Sequence, residues 1–228
     1  GFNGNVLDTS ALLSFVGSGS GYIAKVYDQS GNGNDFVQSS VNFQPIIVSG
    51  GTLVVDEYSK PVFRFDGIND SLEGLDSNGY FLSGGANYLA SVVCEYNPTY
   101  DPSCFFSQSD GLTTNGTVGF LAGNSNQAHL WWANDLLLLG NYEDMKLICE
   151  LSWDGTTRLT SINDIPDESD TPVGKNTLAL PTYLGRIDFS GNNFFANGYM
   201  QEFIIWNSDQ SANVTNIKSE QNVFYGAY

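Results

Sequence analysis

Two stretches of this sequence set groups that exchange hydrogen bonds where a sugar could be held. In the first, Trp131-Trp132 is followed closely by Asn134 and Asp135. Aromatic faces stack on the apolar C–H faces of pyranose rings, while carboxamides and carboxylates take the hydroxyls. Adjacent strand residues point to opposite faces, so at most one of the two tryptophans lines a groove and the other belongs to the core. The second stretch is Asp188 with Asn192 and Asn193, in the polar turn Phe189-Ser190-Gly191-Asn192-Asn193. Arg186 is placed to pair with Asp188 and keep its carboxylate ionised, which suits a hydroxyl acceptor better than a general acid. A solvated turn is the plainer reading of that segment. Glu95, Glu150 and Glu202 fall in strand-like patterns as cleft carboxylates, and the apolar neighbours of Glu202 predict a buried, hydrogen-bonded, structural role.

Other chemistries fit less well. Asp28-x-Ser30-x-Asn32-Gly33 matches the first half of a calcium loop, but Ser39 stands where the bidentate Glu belongs. Asp66, Asn69 and Asp70 form a second oxygen-rich cluster. No cofactor or metal is therefore expected, with Ca²⁺ as the one ion these residues suggest. A Ser-His-Asp triad would have to use His129, the lone histidine, and no serine sits in a nucleophile-elbow sequence. Cys94, Cys104 and Cys149 share no C-x-x-C spacing; they read as small buried hydrophobes, with one bridge plus a free thiol as the alternative.

The chain has 228 residues with 25 acidic against 8 basic side chains, a formal charge of −17. That surface repels phosphate backbones and anionic headgroups, and the cations are scattered rather than striped, so nucleic acid is excluded as a partner. No apolar run approaches the roughly 20 residues that cross a bilayer. The opening Gly1-Phe2-Asn3-Gly4 has no basic leader and reads as the interior of a longer polypeptide.

Positioning falls to short strands. Runs at Tyr22–Tyr27, Pro45–Val48, Val62–Asp66, Tyr88–Tyr96, Val118–Ala122, His129–Trp132, Leu136–Gly140, Lys146–Trp153, Thr157–Ile162, Thr182–Arg186 and Gly198–Trp206 are separated by Gly, Pro and Asn. In Lys146–Trp153, Leu147, Cys149, Leu151 and Trp153 share one face. Asp154-Gly155, Asn115-Gly116 and Asn197-Gly198 signal tight turns. Two helical segments are expected, one over Ala11–Val16 capped from Asp8-Thr9-Ser10, and one after Ser211 carrying Val214 and Ile217. The pattern predicts an all-β fold, a two-sheet antiparallel sandwich with one or two short helices, as one domain over residues 1–228.

Val26-Tyr27-Asp28-Gln29-Ser30-Gly31-Asn32-Gly33-Asn34 resembles the Tyr-Asp-Gln-Ser-Gly-x-Gly-Asn segment of family 54 α-L-arabinofuranosidases. Similar segments occur in laminin-G-like, concanavalin A-like domains of phage virion and bacterial surface proteins. Phe65-Asp66-Gly67-Ile68-Asn69-Asp70-Ser71-Leu72 and the closing Asn197–Tyr228 run resemble the same groups. The resemblance implies a concanavalin A-like jelly roll. Those arabinofuranosidases use a nucleophilic Glu in a Trp-x-x-Val-Asp-x-Glu-Asn-Asn strand; here Leu130–Leu136 puts Ala133 or Asn134 at that place. Their acid/base Asp corresponds, with a one-residue offset, to Asp188 in Leu184-Gly185-Arg186-Ile187-Asp188. Their adjacent-cysteine disulfide has no counterpart, because Tyr100–Phe106 keeps Cys104 and places Phe105 beside it. Tyr100, from that segment, joins the candidate carbohydrate-contacting residues.

The resemblance thus implies a lectin-like, non-catalytic module of a virion (tail, fibre or head decoration) or bacterial surface protein, secreted or displayed, and capable of homo-oligomer formation. It would contact glycan or pack against partner proteins. The alternative is a retaining glycosidase with a relocated carboxylate pair, Asp135 and Asp188.

Overall fold

The alternation in Lys146–Trp153 sends Leu147, Cys149, Leu151 and Trp153 into the main hydrophobic core. The computed structural model describes residues 2–4, 6–74, 83–97, 102–109, 113–123, 126–131, 134–140, 142–189 and 192–228. Lys146–Trp153 lies inside a nine-stranded antiparallel sheet ordered Glu168–Asp170, Arg158–Ile162, Lys146–Trp153, Tyr88–Tyr96, Asn197–Trp206, Phe63–Asp66, Ile46–Ser49 and Gly21–Tyr22, with Thr52–Leu53 beside Ile46–Ser49. A second, eight-stranded sheet runs Leu136–Leu139, Asn126–Leu130, Val118–Ala122, Ser103–Gln108, Thr182–Leu184, Leu72–Gly74, Phe36–Val37 and Lys25–Val26.

The sheets face each other through aromatic side chains. Phe106 of the second sheet meets Phe203 of the first at 4.9 Å between ring centroids, and Trp131 meets Trp153 edge-on at 4.9 Å. This is the expected all-β sandwich of two antiparallel sheets.

Each outer face is partly covered. Helix α1 spans Thr9–Val16, with the Asp8 carboxylate accepting from Ala11 N and Gly17 ending it at positive φ, its N–H donating to Leu13 O. Helix α2 spans Val214–Tyr225 and lies over the nine-stranded sheet, which explains why Ile148, Glu150 and Ser152 are buried on the face opposite the core. Lys218 of α2 donates to Asn163 O at 2.8 Å and to the Ser161 hydroxyl. Over the second sheet, Arg186–Phe189 and Asn192–Phe195 pair as a hairpin whose Ile187 packs with Cys104 and Leu130.

The differences from the sequence expectations are local. Tyr22–Tyr27 divides into Gly21–Tyr22 and Lys25–Val26, which join different sheets. The second helix begins not at a capping Ser211 but after a 3₁₀ turn over Ser211–Asn213. Asn197-Gly198 is strand rather than turn: a Cβ on Gly198 would stand 1.9 Å from the Glu95 carbonyl oxygen, so glycine lets two backbones approach. Ser103–Gln108 is a further strand with a bulge between Cys104 and Phe106, which turns Phe105 and Phe106 both to the main core while Cys104 faces the hairpin. All three cysteines are buried and free.

Candidate functional site: a polar pocket at the end of the sandwich

Asn126–Leu130 and Leu136–Leu139 are paired antiparallel, with His129 opposite Leu136. Asp135 Oδ1 accepts from Trp131 N at 2.7 Å. The ring of Trp131 is thereby drawn inward and has no exposed surface, its Nε1 donating to the Tyr88 hydroxyl at 3.0 Å. Trp131 is therefore a core residue and offers no face to a sugar, which corrects the platform expected of it. Trp132 and Tyr100 lie outside the described residues.

Over the Trp131 ring sits Arg158, its guanidinium carbon 4.6 Å from the centroid. Arg158 and Asp170 are cross-strand partners, and the guanidinium grips the carboxylate with both forks, Nε to Oδ1 at 3.0 Å and Nη2 to Oδ2 at 2.6 Å. The Arg158 side chain is 1% exposed and that of Asp170 37%. Asn134, Asp135, Arg158, Asp170, Thr171 and Pro172 line a pocket of about 310 Å³. Asn134 Nδ2 donates to Asn115 Oδ1, and Asn115 Nδ2 to Val173 O at 3.2 Å, tying Asn134 to the chain beyond Pro172. Donors and acceptors of both signs thus converge on a cavity at the small end of the range that holds ligands. Arg158, Asp170 and Thr171 were not singled out from sequence, because their meeting depends on the strand pair joining positions 158 and 170.

Beneath the pocket, Tyr88 and His129 share a hydrogen bond of 2.5 Å between hydroxyl and Nε2. Burial and the Arg158 charge hold His129 well below its usual pKa, so it is a neutral core histidine.

Asp188 and Arg186 form the expected pair at 3.3 Å, on the hairpin rather than in a loop. Asp188 lies opposite Asn193, and Phe189 opposite Asn192. The Arg186 guanidinium stacks 3.9 Å from the Tyr183 ring centroid. Asp188 does not line the pocket that holds Asp135, so the relocated pair read from sequence is not assembled there. Glu150 is fully buried, whereas Glu202, expected to be buried, is only partly so.

The oxygen-rich loops are closed on themselves. Asp28 accepts from Ser30 N at 2.8 Å, the Ser30 hydroxyl at 2.8 Å and Asn34 N at 2.9 Å. Asp66 Oδ1 accepts from the backbone N–H groups of Ile68, Asn69 and Asp70. Asp70, with burial and the Asp66 charge against it, has its pKa pushed up to about 7. Among the described residues no cluster of three or more His, Cys, Asp or Glu is disposed to hold a metal.

No protein-family model and no curated protein sequence matches the chain. Solved structures do match in fold. A family 54 α-L-arabinofuranosidase variant aligns over 93% of this chain and 53% of its own, at 14% identity and a TM-score of 0.68. An arabinofuranosidase complexed with arabinofuranosyl-α-1,2-xylobiose aligns over 92% and 53%, at 15% identity and 0.66. The botulinum neurotoxin serotype G binding domain aligns over 89% and 51%, at 9% identity and 0.56. The chain thus has the sandwich fold of these proteins and spans about half the length of each.

Proposed function

We propose that this protein is a non-catalytic, lectin-like saccharide-binding module, and that the pocket of Asn134, Asp135, Arg158, Asp170 and Thr171 receives a sugar residue. The observation that carries the reading is the convergence in one small cavity of a carboxamide, two carboxylates and a hydroxyl around a guanidinium fixed by Trp131 and Asp170. Such groups match the mixed donor and acceptor rim of a sugar. Sharing a fold with proteins that act on arabinosyl saccharides supports it. Display on a virion or a bacterial surface, as part of a longer polypeptide or a homo-oligomer, fits the acidic, lysine-poor composition.

Hydrolysis is disfavoured by how the acids are used. A retaining glycosidase needs a free nucleophile and a proton-carrying partner about 5–5.5 Å apart. Both Asp170 oxygens are committed to Arg158, and Asp135 holds the Trp131 backbone. A second reading has one observation in its favour, since Asp135 and Asp170 line the same pocket beside Trp131. The test is thermal shift and calorimetry of the whole chain against arabinan, xylan and host-type polysaccharides, with Asn134→Ala as the control. Saccharide-dependent stabilisation that Asn134→Ala weakens supports the proposal; stabilisation by none of them overturns it.

A further inference from the structure

We infer that the groove between α2 and the nine-stranded sheet is a second saccharide site, shaped for an uncharged glycan chain; it rests on the lectin-like reading but not on the polar pocket. The strand Asn197–Trp206 builds its floor. Phe203 and Ile205 pack against the core, which turns Glu202, Ile204 and Trp206 outward by the two-residue period. Opposite Val93 and Cys94 the register jumps from Glu202 to Met200, leaving Gln201 as a bulged residue. Bulges re-aim side chains, and here Gln201 and Glu202, consecutive in sequence, both line the groove. The cavity is about 720 Å³, more than twice the polar pocket.

The lining has the two parts that sugar recognition needs. Trp206 and Phe224 supply aromatic surface, and Phe224 is 51% exposed. Gln201, Glu202 and Gln221 supply amides and a carboxylate beside those rings. Gln221 is 7% exposed, and its Nε2 donates to the Ser91 hydroxyl and to Glu202 Oε2, each at 2.7 Å. Its Oε1 has no hydrogen-bond partner among the described residues.

Charge selects among glycans. Among the described lining residues, Glu202 and Glu220 face Lys60 as the one cation, and Lys60 already sits 4.3 Å over the Phe224 ring. With a whole-chain charge of −17, uronate- or sulfate-bearing chains are repelled and neutral ones are not.

The experiment is titration of the full chain with neutral arabino-, xylo-, cello-, manno- and galacto-oligosaccharides, and with polygalacturonate and heparin, following calorimetric heat and tryptophan fluorescence. Wild-type protein should bind a neutral oligosaccharide, and Trp206→Ala and Phe224→Ala should each weaken it at least tenfold. Phe224 is exposed enough for its variant to fold, and unchanged thermal unfolding checks this. Unchanged affinity in both variants with loss in Asn134→Ala overturns the groove and leaves the proposed function standing. Absence of binding to any saccharide overturns both. Tighter binding of polygalacturonate or heparin than of the neutral chains overturns the assignment of an uncharged ligand.

Discussion

Arg158 lies over the Trp131 ring, 4.6 Å from its centroid, and is pinned there by both oxygens of Asp170. One cation thus joins the core of the sandwich to the rim of the polar pocket. Asp170→Asn should lower stability by about 1–2 kcal/mol, the low end for charged hydrogen bonds because Asp170 is 37% exposed. The urea midpoint measures this, and an unchanged midpoint would mean that Asp170 does not hold the guanidinium.

The neighbouring histidine makes a spectroscopic prediction. Trp131 Nε1 donates to the Tyr88 oxygen, and the Tyr88 hydroxyl shares a hydrogen bond with His129 Nε2, which holds the imidazole in the core. Because the folded pKa lies below the ordinary value, the neutral form persists as pH falls through 6.5, and stability is lost on further acidification. Nitrogen-15 spectra of this single histidine should show a neutral imidazole from pH 8 to 6. An imidazolium signal near pH 6.5 in the folded protein would contradict the arrangement.

Glu150 gives a pH dependence of the opposite sense. Burial beneath α2 pushes its pKa up to about 8 from an ordinary 4.5, despite the hydrogen bond from Ser91 at 2.9 Å. For an acid with a raised folded pKa, the folded state holds the extra proton; stability is full below pH 4.5 and declines as pH rises to about 8. Asp70, raised to about 7, acts in the same direction. Glu150→Gln should match wild type near pH 4.5 and exceed it at pH 9 by at least about 1.4 kcal/mol, the worth of one pKa unit. Parallel denaturation curves at both pH values would refute the protonated carboxyl.

Three free, buried thiols predict silence toward a thiol reagent. Cys94 and Cys149 have their pKa values raised by burial, which suppresses the reactive thiolate. The folded protein should release no chromophore with an aromatic disulfide reagent, and three equivalents after guanidinium is added; prompt reaction of any one would contradict its burial.

Strand alternation made most of the sandwich legible, because Leu147, Cys149, Leu151 and Trp153 repeat every two residues and only a sheet satisfies that spacing. The burial of Glu150 was not legible, since it depends on a helix some 65 residues further on covering the second face. For the site, Asn134 and Asp135 stood out by type, but no local pattern decides that the Trp131 ring turns inward. Arg158 and Asp170 meet only through strand register, and Gln201 with Glu202 share a side only through a bulge. Register and bulges are set by tertiary packing, which is why the scaffold showed itself in the sequence and the pockets did not.

The most direct measurement is one incubation of wild-type protein with arabinan and xylan, read for both bound saccharide and released reducing ends. The account predicts saturable binding, weakened by Asn134→Ala, with no reducing sugar formed over background. Release of reducing sugar, abolished by Asp135→Asn, would contradict it and make the polar pocket a hydrolytic centre.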